Sequence, residues 1–166
     1  MKPNKLDKAV VDLLLPRLSD EYKAFYTYRA ASNWCKNVGY FVAAEFFANE
    51  SKEELKHAKK IESYLVDWNI TPELPMVNRP VLEYRSLVDV IKDAYTMEYD
   101  LYEAYETTSM EIFKKDLCVF DFLQEFRMIQ KDAVAEYSDK LNMLEGVDGN
   151  KMNLLLIEHK LFQVNG

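Results

Sequence analysis

An all-α four-helix bundle with one long crossover and a short fifth C-terminal helix is the fold this sequence predicts. Three observations predict it. Apolar residues recur at helical spacing along four long stretches. Glycine and proline are scarce, 4 and 5 in 166 residues, too few for the turns of a sandwich or barrel. The links between the stretches run short, long, short. Residues 1–166 read as a single domain, with the bundle over about 6–145 and the short helix over about 149–162.

In the first stretch Leu14, Leu18, Phe25, Tyr28, Ser32 and Cys35 share one stripe. Pro16 sets the expected start of this helix near itself, because a first turn has no helical partner for the N–H that proline lacks. Gly39 ends it. The second helix runs from about Tyr40 to Asn69, with Phe47, Glu50, Glu54, Ile61, Leu65 and Trp68 inward. Pro72, Pro75 and Pro80 then bar a helix and predict an extended crossover. Ser86 and Asp89 resemble a capping box that opens the third helix, which carries Ile91, Ala94, Glu98, Leu101 and Tyr105 to roughly Lys114. After a link at Lys115 and Asp116, the fourth helix turns Leu123, Phe126, Gln130, Val134, Tyr137, Leu141 and Leu144 inward. Gly146 to Gly149 mark a turn, and Met152 to Phe162 form the fifth helix.

Loop lengths set the topology. Short links make the first and second helices antiparallel, and likewise the third and fourth. A helix of about 29 residues is roughly 43 Å long, and crossing that distance takes on the order of 13 extended residues. The stretch 70–85 can therefore carry the chain back and lay the third helix parallel to the second.

Lysine plus arginine number 21 against 28 acidic residues, a formal charge of −7. That balance disfavours a nucleic-acid backbone as partner and is compatible with attracting cations. Cys35 and Cys118 form no CxxC and read as small inert hydrophobes in a reducing compartment. No long apolar run follows Met1-Lys2-Pro3-Asn4-Lys5, so neither a signal peptide nor a membrane span is expected, and the expected location is cytoplasmic. His159 reads as an ordinary polar position. Tyr22, Tyr26, Tyr40, Phe41 and Tyr99 read as exposed aromatics beyond the needs of one core, which predicts subunit contacts.

The inner stripes carry residues foreign to an oil-like core. Glu21 lies four residues before Phe25 and seven before Tyr28, and Glu54 lies seven before Ile61. Glu98 sits seven from both Ile91 and Tyr105, and Gln130 seven from both Leu123 and Tyr137. Each long helix thus offers one polar side chain near its middle, and His57 stands one turn after Glu54. An unpartnered buried carboxylate costs several kcal/mol, and three would consume roughly the 5–15 kcal/mol stability of a whole domain. Few cationic residues (Arg29 and Arg127 among them) lie near these stripes. A pair of divalent or trivalent cations bridged by the carboxylates resolves the conflict. Carboxylates with one imidazole suit iron, manganese or zinc alike.

These residues resemble the non-haem ferritins over nearly the whole chain. The resemblance rests on Glu21 with Tyr28, Glu53-Glu54-Leu55-Lys56-His57, the isolated Glu98, Gln130-Lys131-Asp132-Ala133, and Asn33-Trp34-Cys35. The separations of 33, 44 and 32 residues between Glu21, Glu54, Glu98 and Gln130 are similar to the family's as well. It implies a ferritin-like bundle whose fifth helix closes four-fold contacts of a 24-subunit homo-oligomeric cage. It further implies a di-iron centre that oxidises Fe²⁺ with O₂ or H₂O₂ and stores Fe³⁺ as mineral. Glu21, Glu54 and His57 would hold the first iron, Glu54 would bridge, and Glu98 would hold the second. Gln130 would orient a ligating water or dioxygen species, and Tyr28 would hydrogen-bond beside the site. Gln130 with Ala133 is similar to the catalytic, H-type animal ferritins. Leu55 stands where bacterioferritins carry a haem-ligating methionine, which implies no haem.

Two departures from the family are visible. Lys56 and Lys59 occupy cavity-face positions that are acidic in animal ferritins, and Ile129 replaces an acid of the third iron site, leaving Glu53 and Asp132 as transit ligands. Asp116 and Asp121 are pore candidates. Two other readings remain open on the sequence: a redox enzyme with permanently bound metals, similar to rubrerythrin or a di-metal catalase, and a non-catalytic cage subunit.

Overall fold

The computed structural model describes residues 6–162. Among these, the helices are α1 (Lys8–Val38), α2 (Phe41–Asp67), α3 (Leu87–Phe113), α4 (Leu117–Glu145) and α5 (Lys151–Leu161). No described helix is long and apolar enough to cross a membrane.

Each helix starts where a short polar side chain can take up an orphaned N–H, with α2 the exception. Asp7 accepts from the Ala9 N–H at 2.7 Å, Ser86 from Asp89 at 3.2 Å, Asp116 from Val119 at 3.1 Å, and Asn150 from Asn153 at 3.0 Å. Gly39 ends α1 in the left-handed conformation at φ 95°, where a Cβ would be strained, and its N–H returns to the Cys35 carbonyl. The α2 N-cap, Tyr40, provides no side-chain bond.

The start of α1 departs from expectation. The helix begins at Lys8 and runs through Pro16, which faces solvent. Proline inside a helix costs about 3 kcal/mol. Val10, Val11 and Leu14 on the extra turns, and Leu6 just before them, are all buried, and at roughly 1.5–3 kcal/mol for each such side chain their burial outweighs that cost.

Contacts between α1 and α3 settle the topology. Arg17 bonds Thr108, Glu21 meets Tyr105, and Tyr28 meets Glu98. Ascending positions on one helix meet descending positions on the other, so α1 and α3 are antiparallel. With α1 and α2 antiparallel through their short turn, α2 and α3 run parallel, as the crossover length predicts. The crossover lies along the bundle, with Tyr84 edge-on to Trp34 at 5.4 Å.

The core divides into two apolar clusters. One gathers Tyr28, Phe47, Ile91, Tyr137 and the α5 residues Leu154 and Leu161. The other gathers Leu14, Leu18, Ile61, Leu101, Tyr105 and Phe126. Along α2, α3 and α4 the polar residues Glu54, Glu98 and Gln130 fall in the gap between them.

Several side chains sit elsewhere than expected. Tyr40 is buried, because α5 folds over the turn between α1 and α2 and places Lys151 above its ring at 5.9 Å. Tyr22 is partly buried and donates to Glu62, whereas Tyr26, Phe41 and Tyr99 are exposed. Phe25 and Trp68 are only half-buried. Cys35 is buried, and that burial pushes its thiol up to about 12, but Cys118 is exposed and so is no core hydrophobe.

Candidate metal centre

Four of the sequence-selected residues are almost fully buried: Glu21 at 0%, Glu54 at 5%, Glu98 at 1% and Gln130 at 1% exposure. Helical spacing alone aims them inward, since each lies one or two turns from a core aromatic or leucine on its own helix. His57 follows Glu54 by one turn, so its ring returns to the same face. Its Nδ1 lies 3.2 Å from Glu54 Oε2 and 3.5 Å from Glu21 Oε2. One ligand atom from each of Glu21, Glu54 and His57 can be chosen so that all lie within 4.8 Å of one another.

The pair α1–α3 builds the opposite wall. Tyr28 on α1 donates its hydroxyl hydrogen to Glu98 Oε1, and Tyr105 on α3 donates to Glu21 Oε1. Both tyrosines are fully buried. Sequence spacing placed Tyr105 on the inward stripe but did not identify it as a partner of Glu21, because a pattern along one helix does not show which residue of another helix it meets.

Three buried oxygens among these residues have no hydrogen-bond partner: Glu21 Oε2, Glu98 Oε2 and Gln130 Oε1. A buried acceptor left unsatisfied costs on the order of 1–3 kcal/mol, and more when charged. Burial holds Glu54 well above the usual carboxylate range, and the negative charge of Glu21 adds to this against the His57 hydrogen bond. Glu98 is pushed up to about 8, chiefly by burial, with the Tyr28 hydrogen bond opposing. On His57 burial disfavours the proton, yet the adjoining carboxylates of Glu21 and Glu54 outweigh it and raise the ring to about 10. The cluster therefore holds protons in place of other positive charge.

The expected cationic neighbours lie elsewhere. Arg29 is exposed, and Arg127 donates to Ser109 at 2.7 Å and to the Phe120 carbonyl at 3.3 Å. Glu53 is not part of the cluster: its side chain is 52% exposed and pairs with Lys56 at 2.6 Å. Glu50, on the inward stripe, is half-buried and raised to about 7 by burial and by Glu136, with Lys140 opposing.

A helical bundle that closes carboxylates and an imidazole into its interior, with buried oxygens left without hydrogen bonds, defines a class of protein: one whose core is suited to a hard metal cation. Residues 11–147 match the family profile described as a ferritin-like domain, and the chain belongs to the ferritin family. A bacterial non-heme ferritin of Staphylococcus aureus (strain MRSA252) is 28% identical over 158 residues, covering 94% of this chain and 95% of that protein. One from Staphylococcus haemolyticus is 27% identical over 157 residues, again covering 94% and 95%. An open-pore ferritin from the archaeon Archaeoglobus fulgidus superposes with a TM-score of 0.88 at 20% identity, covering 96% of this chain and 98% of that one. A ferritin of the green alga Ulva pertusa gives 0.89 at 22% identity, covering 97% and 87%. The last two likenesses show the shared fold.

Proposed function

We propose that this chain is a ferroxidase and iron-storage subunit, taking Fe²⁺ as substrate inside the bundle and passing Fe³⁺ to a mineral in a 24-subunit cytoplasmic cage. The observation that carries the reading is the set of three buried oxygens without hydrogen bonds, on Glu21, Glu98 and Gln130, beside the Glu54–His57 pair. Oxygens of this kind are costly unless a cation meets them.

Glu21, Glu54 and His57 hold the first ferrous ion, Glu54 bridges, and Glu98 holds the second. Gln130 orients a water or dioxygen beside the second ion, and Tyr28 positions Glu98. Each ferrous ion gives one electron to dioxygen, which takes up two protons and leaves as hydrogen peroxide. Hard oxygen ligands favour Fe³⁺ over Fe²⁺ and so lower the barrier to electron loss. Gln130 and Ala133 supply less charge than a Glu/His pair would, so the second ion is held loosely and the oxidised product can leave. Glu53, paired with Lys56 at the surface, serves only in transit. With Leu55 in place of the methionine that ligates haem in bacterioferritins, no haem is bound.

Stopped-flow absorbance after adding Fe²⁺ to the aerobic metal-free protein tests the reading. The expected result is oxidation well above the buffer rate, lost in Glu54→Ala and His57→Ala, with uptake far beyond two irons per chain. Oxidation at the buffer rate overturns it. Saturation at two metals identifies instead a redox enzyme that keeps its metals, and a monomer or dimer by size removes the storage role.

A further inference from the structure

The helices α1 and α3 carry the same short pattern, a glutamate followed seven residues later by a tyrosine: Glu21 and Tyr28, then Glu98 and Tyr105. Because the two helices are antiparallel, the patterns interlock. Each tyrosine donates to the glutamate of the other helix, and each does so at Oε1, leaving Oε2 bare and buried. The result is a pair of reciprocal clamps between the two helices.

The clamps differ in what lies behind them. The Tyr105 ring stacks on Phe126 with centroids 5.2 Å apart and planes 14° apart. The Arg17 guanidinium stands 5.8 Å from the Tyr105 ring centroid, and is itself fixed by Asp20 at 2.7 Å and Thr108 at 2.9 Å. The Tyr28 ring lies in the other apolar cluster, stacked at 5.9 Å on Phe47 and at 6.2 Å on Tyr137. The partners α2 and α4 break the symmetry further. Glu54 and His57 adjoin Glu21, whereas α4 offers Gln130 and, one turn on, Ala133.

Resting on the metal-centre reading above, we propose that Tyr105 is the positioning residue of the His57-side metal site. It ties up Glu21 Oε1 and presents Oε2 alone, on the side of the His57 ring. Glu21 is thereby restricted to one-oxygen coordination, and its carboxylate is set before the cation arrives. Tyr28 performs the equivalent task for Glu98. The two sites are thus tuned by separate tyrosines, and either can be altered without the other.

Titration of the full-length metal-free protein with Co²⁺ tests this, using Tyr105→Phe and Tyr28→Phe side by side. Visible absorption counts both sites, and the paramagnetically shifted ring protons of His57 report its own site alone. Loss of a hydrogen-bonding partner behind a metal ligand weakens affinity by about 10–100-fold. Tyr105→Phe is expected to weaken the His57-side site by that factor and leave the other within about twofold. Tyr28→Phe is expected to do the reverse. A general loosening of the bundle would weaken both sites together in either variant, and that outcome overturns the proposal. So does an unchanged His57-site affinity in Tyr105→Phe when the unaltered chain binds two Co²⁺ ions. An unaltered chain that binds no Co²⁺ overturns this proposal and the metal-centre reading together.

Discussion

Glu158 on α5 accepts a hydrogen bond from the backbone N–H of Ala43, 2.8 Å away in the first turn of α2. The α2 N-cap residue offers no side-chain bond of its own, so a residue more than a hundred positions later caps the helix. Seven residues before Glu158, Lys151 donates to the Val38 carbonyl at the end of α1, 2.5 Å away. A carboxylate thus meets a helix N-terminus and an ammonium meets a helix C-terminus, the arrangement the helix dipoles favour. Replacing Glu158 by alanine is expected to cost about 1–2 kcal/mol through the lost cap. Glutamine, which keeps a hydrogen-bonding oxygen, should cost less. Urea unfolding gives the ranking, and hydrogen exchange should show the α5 amides losing protection first.

Pro16 interrupts the backbone ladder on the solvent side of α1 while its neighbours Leu14 and Leu18 are fully buried. Alanine at this position restores an N–H for the carbonyl one turn earlier and removes the ring clash. The expected outcome of Pro16→Ala is a gain of about 1–3 kcal/mol, reduced slightly by the greater freedom of the unfolded chain. A lower unfolding midpoint in Pro16→Ala would contradict this account of the helix.

The buried titratable groups give the metal-free protein an unusual dependence on pH. Glu98 holds its proton to about 8 against an ordinary 4.5, chiefly through burial. His57 holds its proton to about 10 against 6.5, the carboxylates outweighing burial. Between the ordinary and raised values the folded chain binds protons that the unfolded chain has released. The contribution of these groups to stability therefore falls as pH rises from about 4.5 to about 10. A metal ion needs these ligands deprotonated, so its binding strengthens over the same range. Thermal unfolding at about pH 6 and about pH 9 should show the metal-free midpoint dropping at the higher pH. Added Zn²⁺ should shrink or invert the difference. A metal-free midpoint that climbs with pH would be inconsistent with the buried protons.

Much of this architecture was legible along the chain because its causes are local. The 3.6-residue period placed Ile91, Glu98 and Tyr105 on one face of α3, and Ser86 marked the start of that helix through its bond to the Asp89 N–H. Even the polar layer could be read, since a glutamate seven residues from two core positions can only face inward.

What a one-dimensional pattern does not contain is the identity of the partner across the bundle. Burial of Leu6, Val10, Val11 and Leu14 carried α1 through Pro16, against the local preference. Packing of α5 hid Tyr40 and made Glu158 a cap. It also put Phe162 5.8 Å from Lys140, a buried ammonium that lies over Phe46 and pairs with Glu136. The sequence alone determined the helices, their order and which acids turn inward, because those follow from spacing and chain reach. Only the tertiary structure decided that Tyr105 meets Glu21 and Tyr28 meets Glu98, because those bonds depend on the register between two helices separated by the whole crossover.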